Sequence, residues 1–230
     1  GPRVTAMNER RGEAIARAFT APAPPDEQVD LPARLEDPVA APWWRRFAVW
    51  FPLAVYAATR LVDAVYFAVM QRAQIAMYPG NGAARVLFPE PAAPGYWPVM
   101  ANWDGQWYHE IARFGYPDPL PLDPETGRVA QNPWAFYPVF PMTTRAVMWL
   151  THGDFYVVGS TVSLVVGAVA VVLMFRLVDD AVGRWSAITA TVLVSSYVAA
   201  PVLQTSYTES CALLAVVLVL RGHRLAPLVA

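Results

Sequence analysis

The residues of this sequence best suited to chemistry lie in the segment NWDGQWY, residues 102–108. An acid beside a glycine at the start of a helix would direct its carboxylate into a cleft, where amide groups and the helix N-terminus favour the ionised form. Such a carboxylate can act as a general base. Asn102 or Asp104 could instead simply cap the helix, and the two roles are compatible. Asp104 is therefore the first candidate catalytic residue.

A second acid, Glu209, lies at the beginning of a long apolar segment, in the sequence QTSYTES of residues 204–210. Acids inside membrane segments are costly and are by default candidates for a functional role, although Glu209 could equally stand in water at the end of a helix. Arg60 and Asp63 raise the same question inside the first apolar segment. They could pair with each other at i, i+3, or Arg60 could hold a phosphate.

An aromatic and proline-rich stretch, NPWAFYPVFP at residues 132–141, precedes Arg145. It predicts a stiff apolar wall suited to contact with lipid or sugar, or alternatively a plain packing turn. His109 and His152 are isolated, so the spacing predicts no metal site. No nucleophile triad or nucleotide-binding glycine pattern is present, and no cofactor is expected.

The elements that must position these residues are predicted from composition. The chain of 230 residues is 56% hydrophobic and only 15% charged, and residues 155–175 and 185–208 contain no charged residue. Uncharged apolar runs of this length are typical of membrane-spanning helices, which excludes a small soluble enzyme. The net charge of -1 argues against a nucleic-acid partner, and the lone Cys211 excludes an internal disulfide.

We therefore expect an all-α polytopic membrane protein with about four transmembrane helices, at residues 47–70, 155–177, 185–200 and 203–220. Residues 1–46 carry seven Arg and seven acidic residues followed by prolines, which predicts a flexible tail. The interrupted segment 135–150 is expected to be re-entrant or to lie on the surface. Four residues at i, i+4, i+8 and i+11 predict the apolar stripe of an interfacial helix: Trp103, Trp107, Ile111 and Phe114.

The positions of the arginines predict the orientation, because short cytoplasmic loops collect basic residues. With four spans, the clusters at 45–46, 176–184 and 221–224 all fall on one side. The tail would then be cytoplasmic, and the long loop at 71–141 would lie outside the cell together with Arg145 and Glu209. The chain, ending within an apolar run, is expected to be the N-terminal part of a larger protein.

Four motifs in this order resemble the PIG-V family, which comprises the second mannosyltransferase of GPI-anchor synthesis and its bacterial relatives. The resemblance covers about residues 60–224. Its motifs are Thr59-Arg60, Trp103-Asp104-Gly105 with Tyr108, Ile111-Ala112 and Gly115-Tyr116-Pro117, Ala135-Phe136-Tyr137-Pro138 with Pro141 and Arg145, and Tyr207 with Glu209-Ser210.

The resemblance implies a GT-C fold in a membrane glycosyltransferase, with bacterial plasma membrane as its setting. Its donor would be a polyprenyl-phosphate sugar, such as mannose, and its acceptor a lipid or glycan on the extracytoplasmic side. Asp104 occupies the position of the family's catalytic acid and would be the base of a single inverting displacement.

The remaining roles follow from this hypothesis. Arg145 and Arg60 would hold the phosphate, and Glu209 with Tyr207 would orient the acceptor or Asp104. Trp103, Trp107, Phe136 and Tyr137 would line the cleft, and Tyr108 and His109 complete the candidate substrate-binding residues. Two alternatives stay open: a lipid or sugar transporter or flippase, which intramembrane charges also mark, and a non-catalytic scaffold subunit.

Overall fold

The computed structural model describes residues 47–79 and 86–225, and the predicted tail at 1–46 lies outside them. Across these residues the chain is all-helical, with two isolated β-bridges and no strand. The α-helices are α1 (Phe47–Ala73), α2 (Tyr96–Val99), α3 (Asp104–Phe114), α4 (Val139–Thr151), α5 (Phe155–Val182), α6 (Arg184–Ser196) and α7 (Glu209–Leu225). Short 3₁₀ helices occupy Pro133–Ala135 and Ala200–Gln204.

Two helices are long and apolar enough to cross a membrane. They are α1, of 27 residues with a mean hydropathy of 1.5, and α5, of 28 residues with a mean hydropathy of 2.4. On α1, Leu61, Val62 and Val65 are each about two-thirds exposed (68%, 69% and 66%). An outward apolar face of this kind fits a lipid environment better than water. The spans predicted at 47–70 and 155–177 are confirmed as helices of sufficient length.

The other two predicted spans differ from expectation. The segment predicted at 185–200 is helical only to Ser196, and the 13 residues of α6 reach about 20 Å, less than the ~30 Å of a hydrocarbon core. The segment predicted at 203–220 becomes an α-helix only at Glu209. Pro201 contributes to the break after Ser196, because it has no N–H to donate to the carbonyl of Tyr197, four residues earlier. Four-span architecture stays a prediction.

A single residue, Gly183, joins α5 to α6, where the sequence predicts one span that ends at 177 and another that begins at 185. Gly183 has a φ of +98°, a conformation that glycine adopts without steric cost. Across this turn the Nε–H of Arg184 donates a hydrogen bond shared between the two carboxylate oxygens of Asp179, each 3.0 Å away. The guanidinium of Arg184 also lies 5.1 Å from the ring centre of Phe47 in α1.

The central helix is α5, which packs against α1, α4, α6 and α7. At Gly167 the absence of a side chain brings α5 directly onto its neighbours, because an added Cβ would collide with the Tyr56 hydroxyl and lie 3.0 Å from Ser210 Oγ. Tyr56 in turn donates a hydrogen bond of 3.1 Å to the Leu203 carbonyl. The small residue is therefore required for the contact between α1, α5 and the chain before α7.

The amphipathic helix predicted around residue 107 is present as α3, but its apolar stripe is only half correct. Trp107 and Ile111 are buried, whereas Trp103 and Phe114 are exposed. Trp103 precedes the helix with a φ of +54°, so it does not follow the helical spiral. The remainder of the buried face comes from Tyr108 and its neighbours, which pack on α4 and α5. The 13-residue α4 is too short to cross a membrane, in agreement with the surface or re-entrant segment that we expected.

Candidate functional site

The candidate site lies where the N-terminus of α3 meets the turn before α7. The Ser206 N–H donates to the Met100 carbonyl at 2.9 Å, and the Tyr207 hydroxyl donates to the Asn102 carbonyl at 2.7 Å. A Cβ added to Gly105 would lie 3.3 Å from Cε1 of Tyr207, so glycine permits this close approach. These contacts bring the first residues of the two helices into one region.

Those first residues are the two predicted acids, Asp104 of α3 and Glu209 of α7. Both are exposed, and neither forms an ion pair with another residue in the described part of the chain. Partial burial raises the pKa of Glu209, a hydrogen bond from its own backbone N–H opposes the rise, and the negative charge of Asp104 adds to it. Two carboxylates at the starts of two adjoining helices can divide the roles of base and orienting group.

Two tyrosines adjoin the acids. Burial raises the pKa of Tyr108, and the charges of Glu209 and Asp104 raise it further, while a hydrogen bond to Thr208 opposes them. Burial and the same two carboxylates also raise the pKa of Tyr207. Both phenols therefore stay protonated at neutral pH and can act as hydrogen-bond donors.

The backbone is strained immediately before Asp104. Trp103 has φ +54° and ψ −111°, a region that residues with bulky side chains rarely adopt. Such a conformation costs about 1–3 kcal/mol and is typical of functional sites. The exposed Trp103 side chain lines an apolar cavity of 340 Å³ against the end of α1, with Tyr66 and Met70.

A second apolar cavity, of 490 Å³, borders the other acid. Glu209 lines it together with Leu193 and Tyr197 from α6 and its end, and with Leu213 from α7. Glu209 thus lines one apolar cavity, and Trp103, the residue before Asp104, lines the other. This arrangement suits a molecule with a polar reactive group and a hydrocarbon chain.

Two hydroxyls of α5 hold the turn that carries Glu209, and the sequence did not reveal them. Ser160 donates to the Gln204 carbonyl at 2.7 Å, and Ser163 donates to the Tyr207 carbonyl at 3.1 Å. Inside an apolar environment such bonds satisfy backbone carbonyls that have no helical partner. The available signal was the i, i+3 spacing of two serines in an otherwise apolar run.

Arg145 does not lie beside Asp104, although its predicted role is to hold the donor phosphate next to that acid. Its exposed guanidinium donates a hydrogen bond of 3.0 Å to the Arg113 carbonyl, at the opposite end of α3. At 1.5 Å per residue, Arg113 is about 14 Å along the helix from Asp104. The contact satisfies a carbonyl at the helix C-terminus, where cations are favourable.

Arg60 adopts the structural alternative of its two predicted roles. It is 5% exposed, and it pairs with Asp63 at 2.9 Å. The same guanidinium donates to the Ser195 carbonyl at 2.9 Å and to the Ala200 carbonyl. Arg60 therefore secures the chain where α6 ends, and its donors face protein carbonyls.

The predicted aromatic wall divides into a buried and an exposed part. Trp107 is buried and stacks on Phe136 with ring centres 5.7 Å apart, and Tyr108 meets the same ring edge-on at 5.3 Å. Tyr137 is 76% exposed. Trp107 therefore supports α3 from the core, which leaves Trp103 and Tyr137 as the exposed aromatic candidates.

His109 faces away from Asp104, near the start of α5. Its ring stacks on Tyr156 with centres 5.3 Å apart and lies 4.9 Å from the ring of Phe155. Burial and the charge of Arg113 lower the pKa of His109, and Asp154 partly opposes this. The imidazole is therefore neutral at physiological pH and belongs to a region separate from the two acids.

Sequence reasoning also missed Gln106, which is buried on this second face of α3. Its Oε1 accepts hydrogen bonds from the N–H groups of Leu87 and Phe88, at 2.5 and 3.0 Å. Its Nε2 donates to the Phe88 carbonyl at 3.1 Å and to Oε1 of Glu90 at 2.6 Å. Gln106 thereby fixes the loop that returns from α1 to α3.

Over the described ranges, no group of three or more His, Cys, Asp or Glu residues could hold a metal ion. Comparison of the chain with family models, curated proteins and solved structures finds no match. The resemblance to the PIG-V family stays a prediction, and the functional argument rests on the geometry of the site.

Proposed function

We propose that this protein is a membrane glycosyltransferase, which transfers mannose or a similar sugar from a polyprenyl-phosphate donor to a lipid- or glycan-linked acceptor. One observation carries the proposal. Two exposed acids begin two adjoining helices; Glu209 lines one apolar cavity, and Trp103, the residue before Asp104, lines another. A donor with a polar head and a long hydrocarbon chain matches this combination.

In the proposed reaction Asp104 is the base. It takes the proton of the acceptor hydroxyl as the acceptor oxygen forms a bond to the anomeric carbon of the sugar. The bond from that carbon to the phosphate oxygen breaks, and its electron pair leaves with the polyprenyl phosphate. The single displacement inverts the anomeric configuration and requires no cofactor.

Neighbouring groups have supporting roles. Glu209, whose pKa is raised by partial burial and by the charge of Asp104, orients the acceptor or Asp104. Tyr207 acts as a positioning residue, because its hydroxyl is bonded to the Asn102 carbonyl, two residues before the base. The phosphate is assigned to neither Arg60 nor Arg145, since both guanidiniums bond protein carbonyls elsewhere.

The membrane arrangement is part of the proposal. The third span of a GT-C-like domain would be α6 extended by the chain that follows it to Ala200, and the fourth would be the portion of α7 beyond its first turn, with Glu209 at the outer surface. The N-terminus would be cytoplasmic and the site extracytoplasmic, in a bacterial plasma membrane. The exposed apolar surface of α1 supports immersion in lipid.

The test is transfer of radiolabelled mannose from polyprenyl-phosphate mannose to membrane acceptors by the full chain in nanodiscs. We expect Asp104→Asn to lower the rate by about 10² to 10⁴, the usual contribution of a general base. Glu125→Gln, at an exposed acid in the loop before α4, is the matched control and should transfer at the wild-type rate. Wild-type transfer by Asp104→Asn would exclude Asp104 as the base.

A lipid or sugar transporter is a second candidate, favoured by the buried ion pair of Arg60 and Asp63 midway along α1. This pair adjoins a cavity of 490 Å³ lined by Asp63, Ser195 and Tyr197, next to the end of α6. Broken helices with intramembrane charges are typical of transport pathways. Two measurements separate the candidates. In a transporter, Asp63→Asn would impair counterflow of a labelled lipid-linked sugar. In a transferase, Asp104→Asn would be the variant that mainly impairs sugar transfer.

A further inference from the structure

A further cavity, lined by aromatic residues, prolines and two glutamates, lies on the side of α3 that faces away from Asp104. Its volume is 490 Å³, and it opens between the loop before α2, the middle of α3 and the start of α5. A helix turns by about 100° per residue, so Gln106, His109 and Glu110 all project from the side of α3 opposite to Asp104. The cavity is therefore separate from the proposed transfer site.

The walls of this cavity are rigid and aromatic. Four prolines contribute to them, and each has a fixed backbone φ: Pro89, Pro91, Pro94 and Pro98. The rings of Phe88, Phe114 and Tyr156 line it beside the imidazole of His109, and the Phe88 and His109 rings meet edge-on at 6.5 Å. A preformed aromatic enclosure suits a small rigid group, because little conformational entropy is lost on binding.

The cavity also carries negative charge. Glu90 is only 7% exposed, and its Oε1 accepts a hydrogen bond of 2.6 Å from the neutral amide of Gln106. Within the described part of the chain Glu90 and Glu110 have no ion-pair partner. A nearby cation, Arg113, projects from α3 toward the ring of Phe114, and Asp154 adds a further negative charge close to His109.

We propose that this cavity binds an organic ammonium group. A buried carboxylate with only neutral partners is costly, and a cationic ligand would offset that cost. Aromatic faces attract the same group through the cation–π interaction. An anionic ligand would be repelled by Glu90 and Glu110, and a neutral sugar would leave their charges uncompensated. The proposal does not depend on glycosyl transfer.

The test measures binding of choline to the full chain in phosphatidylglycerol nanodiscs by calorimetry. Its matched comparison ligand is 3,3-dimethylbutan-1-ol, which has the same shape and no charge. We expect choline to bind at least about tenfold more tightly than 3,3-dimethylbutan-1-ol, because the uncharged molecule lacks the cation–π and carboxylate interactions. Equal affinity for the two molecules would overturn the proposal, as would tighter binding of methyl mannoside than of choline.

Variants locate the site. Glu90→Gln keeps the size of the side chain and should weaken choline binding about tenfold, whereas the exposed control Glu125→Gln should leave it unchanged. Unfolding midpoints check that each variant is folded. If Glu90→Gln does not fold, Glu110→Gln provides the same test at a less buried carboxylate. Wild-type choline binding in the folded variant would refute the site.

Competition then identifies the source of the ammonium group. Phosphatidylethanolamine added to the nanodiscs would displace choline if the ligand is a lipid headgroup. Glucosamine, but not glucose, would displace it if the ligand is an amino sugar. Choline binding without either competition would assign the cavity to a small soluble ammonium compound.

Discussion

The buried ion pair in α1 allows a quantitative test of how the fold is held together. Arg60 pairs with Asp63 at 2.9 Å and donates to the carbonyls of Ser195 and Ala200. Arg60→Met removes all three interactions and leaves a largely buried carboxylate without its cation. Loss of one partner of a buried pair costs about 3–5 kcal/mol. We expect Arg60→Met to destabilise the folded state by this amount.

A double-mutant cycle separates the charge from the hydrogen bonds. In Arg60→Met with Asp63→Leu the stranded carboxylate is gone, so part of the loss should be recovered. The two carbonyls still lack their donor, and charged hydrogen bonds contribute about 1.5–3 kcal/mol each, so recovery should be incomplete. The double variant should therefore be less destabilised than the sum of its single variants.

The measurement is the free energy of unfolding in mild detergent micelles, from titration with a denaturing detergent. Arg72→Met is the matched control, because Arg72 is exposed in the last turn of the same helix. We expect this control to stay within about 0.5 kcal/mol of wild type. If Arg60→Met were no more harmful than Arg72→Met, or if the two single effects simply added, the ion pair would not secure α1 to the end of α6.

Two further variants test the packing and the electrostatics of the site. Gly167→Ala should destabilise the fold by about 1–3 kcal/mol, because its new methyl group collides with the Tyr56 hydroxyl. The control Gly222→Ala, whose methyl group meets open space, should not destabilise it. The measurement is the midpoint of unfolding of each variant. The raised pKa of Glu209 means that the folded state binds more protons there, so stability should fall as pH rises from about 4.3 through that raised pKa. Glu209→Gln should remove this part of the pH profile of thermal unfolding, and Asp104→Asn should reduce it; an unchanged profile in both would contradict the assignment.

The sequence is most informative where one physical signal dominates. Apolar segments of membrane length predict α1 and α5 correctly, because membrane-length helices need little beyond sustained hydrophobicity. The sequence also singles out Asp104 and Glu209, which begin two adjoining helices although they are 105 residues apart in the chain. The sequence fails where a long side chain has a choice of partners, as with Arg145, whose guanidinium bonds the end of α3.

The extent of the interruption between α6 and α7 is also not predicted by hydropathy, which places it only between residues 200 and 203. Residues 185–208 form one uncharged run, yet the chain leaves the α-helix after Ser196 and resumes it at Glu209. Tertiary contacts favour the break: Arg60 binds the carbonyls of Ser195 and Ala200, and Ser160 binds that of Gln204. These donors are distant in sequence from the break, so no local sequence pattern predicts the contacts.

The one-residue connection at Gly183 has a consequence for biogenesis. With no loop between them, and with Arg184 clasping Asp179 across the turn, α5 and α6 are geometrically a single antiparallel hairpin. In the proposed membrane arrangement, the strongly apolar α5 would supply most of the driving force for inserting both arms of this hairpin. The shorter α6 would then need no insertion signal of its own, and its far end could depart from helix into the chain that leads to Glu209.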